Sequence, residues 1–223
     1  KRDRGIKRRK TEMLTIRNEE PRDYEIVERM TRNSFYNLYI PGCMEHYLVH
    51  IMREHKDFIP ELDFVLELDN KVVGYIMYTR ATLTDEKGNM KHILTFGPLC
   101  IEADYQRKGY GKLLMQHSFE KAVSMGYDTV VIFGMPCNYV SSGFVSCKKH
   151  NICVEGEKFP AAMLVKELKE GVLDGRRWYY QDSPVMDVSL EDALAYDDTL
   201  PQKERKYTYA QDTFYIMSHS FLE

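Results

Sequence analysis

The chain has 223 residues, enough for one domain with a sizeable core plus an appendage. With 43% hydrophobic residues, 29% charged residues and a net charge of −3, its composition is that of a globular protein and gives no overall sign of a nucleic-acid or membrane partner. No apolar run approaches the roughly 20 residues of a membrane-spanning helix, and the charged N-terminus lacks a signal-peptide pattern. Five cysteines without a Cys-x-x-Cys pair favour free thiols in a reducing compartment, so we expect a cytoplasmic protein.

The first ten residues carry seven basic side chains and one acid. We expect residues 1–12 to form a solvated basic tail, or to precede a natural start at Met13. An arm that binds nucleic acid is the alternative, and it would require binding that weakens steeply with salt.

The next ninety residues predict a strand, two helices and three strands. His46 and His50 lie four apart on the second helix, which is metal-ligand spacing, but without a third ligand in view we favour surface histidines. The predicted elements are a strand over Met13–Arg17, a helix that begins at Pro21, a helix over Met44–Lys56, a hairpin of Leu62–Leu68 with Val72–Leu83, and a strand over Ile93–Ile101.

A glycine-bearing loop, Gln106-x-x-Gly109-x-Gly111, follows the last of these strands and leads into a helix that ends near Met125. Two glycines let backbone N–H groups approach an anion without a Cβ clash, and the positive end of the helix dipole points to the same spot. The loop therefore predicts a pyrophosphate site. Positive charge is added by Arg107, Lys108 and Lys112.

Two common phosphate-binding loops are excluded by the residues themselves. A Walker A loop needs Ser or Thr after Gly-Lys, whereas Gly111-Lys112 is followed by Leu113. A dinucleotide fingerprint needs a third small residue where Leu114 stands. A tight strand-to-helix turn without a ligand is the alternative that stays open.

A second motif follows a buried strand predicted over Asp128–Phe133. It is Tyr139-x-x-x-Gly143-Phe144, and a packed tyrosine beside a glycine turn is its structural interpretation. A final strand pair is predicted over Phe144–Val154 and Ala162–Leu168. The first of these strands contains Cys147-x-x-His150-x-x-Cys153, for which no fourth ligand is evident, so we expect no metal.

Taken together, the two motifs and their order resemble the GNAT superfamily of N-acetyltransferases. The loop Gln106 to Gly111 is similar to the acetyl-CoA loop of that family, and Tyr139 with Gly143-Phe144 is similar to its short helix and Gly-Phe corner. Residues 170–175 resemble the tail of a subgroup of uncharacterised bacterial predicted acetyltransferases.

The resemblance implies an α/β fold, a mixed sheet flanked by helices, over residues 13–168. It implies acetyl-CoA as cosubstrate and direct transfer of the acetyl group to a primary amine of a small molecule or protein. Tyr139 would be the acid that protonates the leaving thiolate, and two strands would part near Pro98 to admit the pantetheine arm. The implied cofactor-binding residues are Leu99, Cys100, Ile101, Gln106, Arg107, Lys108, Gly109, Tyr110, Gly111, Lys112 and Asn138.

Several points stay open within that resemblance. The aromatic-rich connection Phe35–Tyr39 would wall the acceptor site, although core packing explains it equally well. The general base is not identified; Glu67, Glu102 and His92 are candidates by residue type only. A domain that binds acyl-CoA without catalysis, as a sensor or interaction module, is the alternative function.

The last part of the chain, residues 169–223, is predicted to be a C-terminal extension. Six acids fall between Asp182 and Asp198, and Ser189 is a suitable N-cap for a short helix that begins at Leu190. Aromatic residues after position 206 indicate that the extension packs on its own domain or on a second subunit, as in a homodimer.

Overall fold

The computed structural model describes residues 13–223; the basic tail predicted over residues 1–12 lies outside the described residues. The strands are β1 (Leu14–Asn18), β2 (Phe64–Leu68), β3 (Lys71–Asp85), β4 (Met90–Ile101), β5 (Thr129–Phe133), β6 (Val145–Ser146), β7 (Ile152–Cys153), β8 (Phe159–Pro160), β9 (Met163–Glu167), β10 (Trp178–Gln181) and β11 (Phe221–Leu222). The helices are α1 (Tyr24–Phe35), α2 (Glu45–Met52), α3 (Tyr110–Ser124), α4 (Pro136–Tyr139), α5 (Leu190–Asp198) and α6 (Tyr209–Ser218). Within residues 13–223, no helix is long and apolar enough to cross a bilayer.

The central sheet has the order β1-β2-β3-β4-β5-β9-β6. Most neighbours are antiparallel, but β4 and β5 are parallel because α3 connects them as a crossover. The predicted mixed α/β sheet is therefore confirmed.

Helices cover both faces of this sheet. Ile76 and Tyr78 of β3 point to the face where α3 packs, whereas the alternate residues Tyr75 and Met77 point to α1 and α2. The small Ser118 lets α3 approach closely, and its hydroxyl lies 2.6 Å from that of Tyr78. The buried face of α3, formed by Leu114, Met115, Ser118 and Ala122, thus lies against the sheet.

The strands β4 and β5 pair at one position only, Leu94 with Val130. Beyond Leu94, β4 carries a bulge at Gly97-Pro98 and continues as the partner of β3 alone. The parting of these two strands, expected near Pro98, is present.

The prediction of one continuous strand over Phe144–Val154 is wrong. The segment forms the two-residue strands β6 and β7 around a 3₁₀ turn over Cys147–His150. The hydroxyl of Ser146 caps this turn by accepting from the amide of Lys148, and Asn151 ends it with a left-handed φ of 53°. Local hydrogen bonds thus override an alternating pattern.

Residues of the predicted extension join the central sheet. Strand β10 pairs antiparallel with β3 from Trp178↔Asp85 to Gln181↔Thr82, on the same edge that β2 occupies farther along β3. The predicted cap at Ser189 is also present, since its hydroxyl accepts from the amide of Asp192 at 3.2 Å.

The surface placement expected for His46 is wrong. Its side chain is fully buried, 3.4 Å from the Asp197 carboxylate of α5, and burial lowers its pKa to about 4. His50 is exposed, as expected, and stacks on Tyr196 with ring centroids 4.7 Å apart.

Candidate active site

A cavity of about 600 Å³ lies between the N-terminus of α3 and the C-terminal end of α1. It extends along the free edge of β4 to the short helix α4. Of the residues predicted from the sequence, ten line it: Leu99, Cys100, Ile101, Gln106, Arg107, Gly109, Gly111, Lys112, Asn138 and Tyr139.

The loop at the mouth of this cavity is held by backbone geometry. Gly109 is the N-cap of α3 with a φ of 90°, a conformation that costs other residues about 1 kcal/mol or more. The side-chain amide of Gln106 donates to the carbonyl oxygen of Ile101 at 2.9 Å, which ties the loop to β4. None of the backbone amides of residues 107–112 donates to another residue of the described chain. These amides and the positive end of the helix dipole therefore form a cradle that is suited to an anion.

Formal charge is added by only some of the predicted basic residues. Arg107 and Lys112 line the cavity, and the Lys112 ammonium lies 3.2 Å from the Ser141 carbonyl on the opposite wall. Lys108 instead donates to the Asp104 carbonyl at 2.8 Å, and Tyr110 packs against the apolar cluster under α3. The structure does not bring the side chains of Lys108 and Tyr110 into the cavity.

Strand β4 offers its backbone to the same cavity. Leu99, Cys100 and Ile101 pair with β3 on one edge, and in the described chain no strand pairs with their other edge. The Cys100 thiol is buried against Thr31 of α1, and burial raises its pKa to about 12, so this residue contributes backbone rather than thiolate chemistry. An open strand edge of this kind accepts an extended amide-bearing ligand as if it were another strand.

Tyr139 is held at the point where β4 and β5 part. Its ring lies 5.9 Å from that of Phe96 and 5.8 Å from that of Phe144. A Cβ at Gly134 would come within 2.6 Å of the ring, so a glycine there is what allows this placement. Burial, with a smaller effect of Tyr39, raises the pKa of Tyr139, and its hydroxyl is therefore protonated at neutral pH.

The model of the Acetyltransferase (GNAT) family matches residues 32–147, which is more than half of the chain and contains every element of this cavity. The chain belongs to the GNAT family of acetyltransferases.

Relatives of this GNAT chain agree with that assignment. It is 34% identical over 101 residues to "Uncharacterized N-acetyltransferase YjhQ" of Escherichia coli K12; the match covers 45% of the chain and 55% of that relative, so the chain spans about half of its length. The E. coli GNAT protein YhbS, solved in complex with CoA, superposes with a TM-score of 0.69 at 22% identity, over 81% of this chain and 95% of that one. A GNAT acetyltransferase from Brucella melitensis in complex with acetyl-CoA superposes with a TM-score of 0.61 at 19% identity, over 78% of this chain and 99% of that one. At these identities the two structures show a shared fold.

Other residues line the GNAT cavity without having been predicted to bind the cofactor. The aromatic connection Phe35–Tyr39 contributes Phe35, Leu38 and Tyr39, and burial followed by the nearby Glu45 raises the pKa of Tyr39 to about 12. The aromatic content of this connection was the sequence signal for a wall of the site. Nothing in the sequence marked the remaining lining residues, Ser34, Met115, Cys137, Ser141 and Ser142.

The three base candidates named by residue type lie elsewhere in the GNAT fold. Glu67 pairs with Arg17 at 2.5 Å on the outer strands of the sheet. His92 is an exposed residue of β4 that faces Thr82 of β3, and Glu102 follows the end of β4. None of the three lines the cavity. Within residues 13–223, no group of three potential ligands is placed to hold a metal ion.

Proposed function

We propose that this protein is an acetyl-CoA-dependent N-acetyltransferase that moves the acetyl group directly to a primary amine of a small molecule or a protein. One observation carries the proposal: a single cavity brings together loop amides that have no partner in the described chain, an open strand edge and the hydroxyl of the half-buried Tyr139. These are the groups needed to hold a pyrophosphate, an amide-bearing arm and a leaving thiolate.

The loop amides, Arg107 and Lys112 would bind the pyrophosphate of acetyl-CoA. The backbone of Leu99 and Ile101 would pair with the pantetheine arm, and Asn138 on α4 would contact it from the other side of the groove. In this arrangement the thioester lies beside Tyr139.

Acetyl transfer then follows from the chemistry of the amine and of the thioester. The amine nitrogen forms a bond to the thioester carbonyl carbon, the carbon–sulfur bond breaks, and the sulfur leaves with the electron pair. The Tyr139 hydroxyl supplies a proton to that thiolate, a contribution of about 10² to 10⁴ in rate for a positioned acid. An alkyl ammonium of pKa about 10.4 is neutral in only about one molecule in 2,500 at pH 7, a handicap near 4.6 kcal/mol, so a base must also act on the acceptor.

The test is an acceptor screen that follows release of the free CoA thiol. Purified protein is incubated with acetyl-CoA and a panel of n-butylamine, phenethylamine, spermidine and lysine-containing peptides. We expect turnover with at least one member and none with the variant Gly111→Glu. Tight acetyl-CoA binding without turnover of any member would instead favour a non-catalytic acyl-CoA-binding module.

A further inference from the structure

A second cavity, of about 520 Å³, opens on the other face of the sheet. It is formed by the end of β5 and by the segment that follows β10. Its lining includes the aromatic residues Phe133 and Tyr180, the half-buried Asp182, Met186 and the exposed Asp187.

This cavity lies back to back with the first one at the place where β4 and β5 part. Along β5, Val130 and Ile132 face the cluster that contains Phe96 and Tyr139, whereas Val131 and Phe133 face the opposite cluster. A Cβ at Gly97 of β4 would lie 3.6 Å from Met186, so the segment after β10 covers β4 next to Pro98. Because Met186 lines this cavity and lies beside Gly97, an acceptor bound here would sit on the opposite face of the sheet from Tyr139, next to the gap between the two strands.

The polar groups of the cavity have unusual surroundings. Tyr180 is 8% exposed, and its hydroxyl makes no hydrogen bond with any described residue, although the Asp182 carboxylate and the Thr95 hydroxyl are its neighbours. An unpaired buried hydroxyl costs about 1–3 kcal/mol. A ligand that supplied a partner would remove that cost, which points to a polar ligand here.

The charge of the cavity indicates the kind of ligand. Its ionisable lining consists of Asp182, Asp187 and Tyr180, with no basic side chain among the described lining residues. Burial raises the pKa of Asp182 to about 6, while the hydrogen bond from the Ser183 amide, at 2.8 Å, limits the rise. The Asp57 carboxylate approaches this segment only through the Ser183 hydroxyl. An acidic cavity with the aromatic rings of Phe133 and Tyr180 on its wall suits an ammonium group.

We propose that Asp182 binds the ammonium of the acceptor in this second cavity and is the general base of the acetyl transfer. The assignment rests on the proposed function, because it names the base that the reaction needs. It also gives the segment after β10, which lies outside the matched family region, a catalytic role.

The protons of the reaction balance with Asp182, Tyr139 and water alone. The ionised Asp182 takes one proton from the acceptor ammonium and later releases it to water. The neutral nitrogen attacks the thioester carbon, and the carbon–sulfur bond breaks. The second proton leaves the nitrogen of the new amide and replaces the one that Tyr139 gave to the thiolate, so that one proton is released in each turnover.

The central experiment compares two nucleophiles in wild type and in Asp182→Asn. One is the amine of the screening panel that wild type acetylates fastest, which is protonated near neutral pH; the other is hydroxylamine, which is largely neutral there. We expect Asp182→Asn to lower kcat/KM for the alkylamine by about 10²-fold. The loss with hydroxylamine should be at least tenfold smaller, because a neutral nucleophile needs no such base.

Two further readouts keep the test independent of folding. Wild-type kcat/KM should fall as pH drops through about 6, and this acid limb should vanish in Asp182→Asn while Asp187→Asn retains it. Because the folded protein disfavours the ionised carboxylate, Asp182→Asn should also have a higher melting temperature than wild type above pH 6. Unchanged acetyl-CoA affinity would show that the cofactor side is intact.

The experiment separates failure of the proposed function from failure of the role assigned to Asp182. If wild type acetylates no amine of the panel, the proposed function fails and the role of Asp182 falls with it. Two other outcomes are that wild type acetylates an amine while Asp182→Asn keeps the same rate and acid limb, or that the variant loses activity equally with the alkylamine and with hydroxylamine. In either case Asp182 is not the base, although the enzyme assignment stands. Loss of the acid limb in Asp187→Asn alone would overturn the proposal in favour of the other carboxylate.

Discussion

The two halves of the candidate site are built in opposite ways. The half that would hold acetyl-CoA is built mainly from one continuous stretch, from Leu99 to Lys112, which contributes mainly backbone groups. The half that would hold the acceptor is assembled from side chains of distant segments, Phe35–Tyr39 at the end of α1 and residues 180–187 at and after the end of β10.

The difference follows from what each half must recognise. A pyrophosphate and an amide-bearing arm are the same in every turnover, and backbone amides at a helix N-terminus bind them with few side-chain requirements. An acceptor differs between proteins of one fold, so its site depends on side chains and loops that can vary without disturbing the sheet.

The largest effect is expected where the acceptor half is anchored to the rest of the chain. Asp197 of α5 is 1% exposed and pairs with Arg32 of α1 at 2.6 Å and with Arg205 at 2.8 Å. Asp197→Ala leaves the buried Arg32 guanidinium without its partner, which should cost about 3–5 kcal/mol of unfolding free energy. Chemical denaturation measures it; a loss below about 1 kcal/mol would show that this anchor is dispensable.

The ion pairs of Asp197 with Arg32 and Arg205 also make the stability of the fold depend on pH. Burial alone would raise the pKa of Asp197, but hydrogen bonds from Arg32 and Arg205 outweigh it and hold the pKa below the ordinary 3.8. A carboxylate with a lowered folded-state pKa stabilises the fold above its unfolded pKa and loses that contribution as pH falls below it. The difference in unfolding free energy between wild type and Asp197→Ala should therefore shrink as pH falls into the acid range. A difference that stays constant with pH would contradict this.

The next largest effect should be confined to the cofactor half. Gly111→Glu places a carboxylate where the pyrophosphate would lie, and we expect acetyl-CoA affinity to fall at least about 10²-fold, because like charges meet in the cradle. Calorimetry measures the affinity. Gln116→Glu adds the same charge to an exposed position of the same helix and should bind normally. Unchanged affinity in a folded Gly111→Glu would remove the pyrophosphate from this loop.

A smaller effect is expected at the junction of the two halves. Tyr139→Phe keeps the ring against Phe96 and Phe144 but removes the hydroxyl, so kcat should fall by about 10-fold to 10³-fold with little change in acetyl-CoA affinity. Tyr110→Phe, which alters a tyrosine outside the cavity, is the matched control. Full activity with stability lowered by about 1 kcal/mol would make Tyr139 a packing residue.

The smallest effect is expected for Gly111→Ala, which tests whether Gly111 is needed for the fold or for ligand binding. A Cβ at Gly111 would lie 3.7 Å from Ile101, an ordinary contact, and alanine is a better helix former than glycine by about 1 kcal/mol. Gly111→Ala should therefore unfold at the same or a slightly higher temperature, which differential scanning calorimetry can measure. A clear fall in melting temperature would mean that the glycine serves the fold rather than a ligand.

The contrast between the halves also explains what the sequence could predict. The cofactor loop depends on local features, a left-handed Gly109 and a helix start, and such features are visible in a short motif. The acceptor half depends on β10 pairing with β3 across about ninety residues of chain, and no local pattern encodes that register. The buried position of His46 was missed for the same reason, since its neighbour Asp197 lies on α5.

The error over Phe144–Val154 has a different cause. Apolar residues alternate there as in a strand, and the competing signals are a single hydroxyl at Ser146 and a single left-handed Asn151. Such short polar side chains compete with strand pairing through hydrogen bonds to their own backbone. Strand β9 pairs along its whole length with β5 on one edge, whereas on its other edge only Leu164 and Val165 pair with β6.

Hydrogen–deuterium exchange with and without saturating acetyl-CoA tests whether the loop and β4 bind the cofactor. The amides of residues 107–112 and of Leu99–Ile101 border the cavity, and those of the loop have no partner in the described chain. We expect strong slowing of exchange in these two peptides on addition of acetyl-CoA, and no slowing in Gly111→Glu. Unchanged exchange there, or slowing confined to residues 180–187, would contradict it.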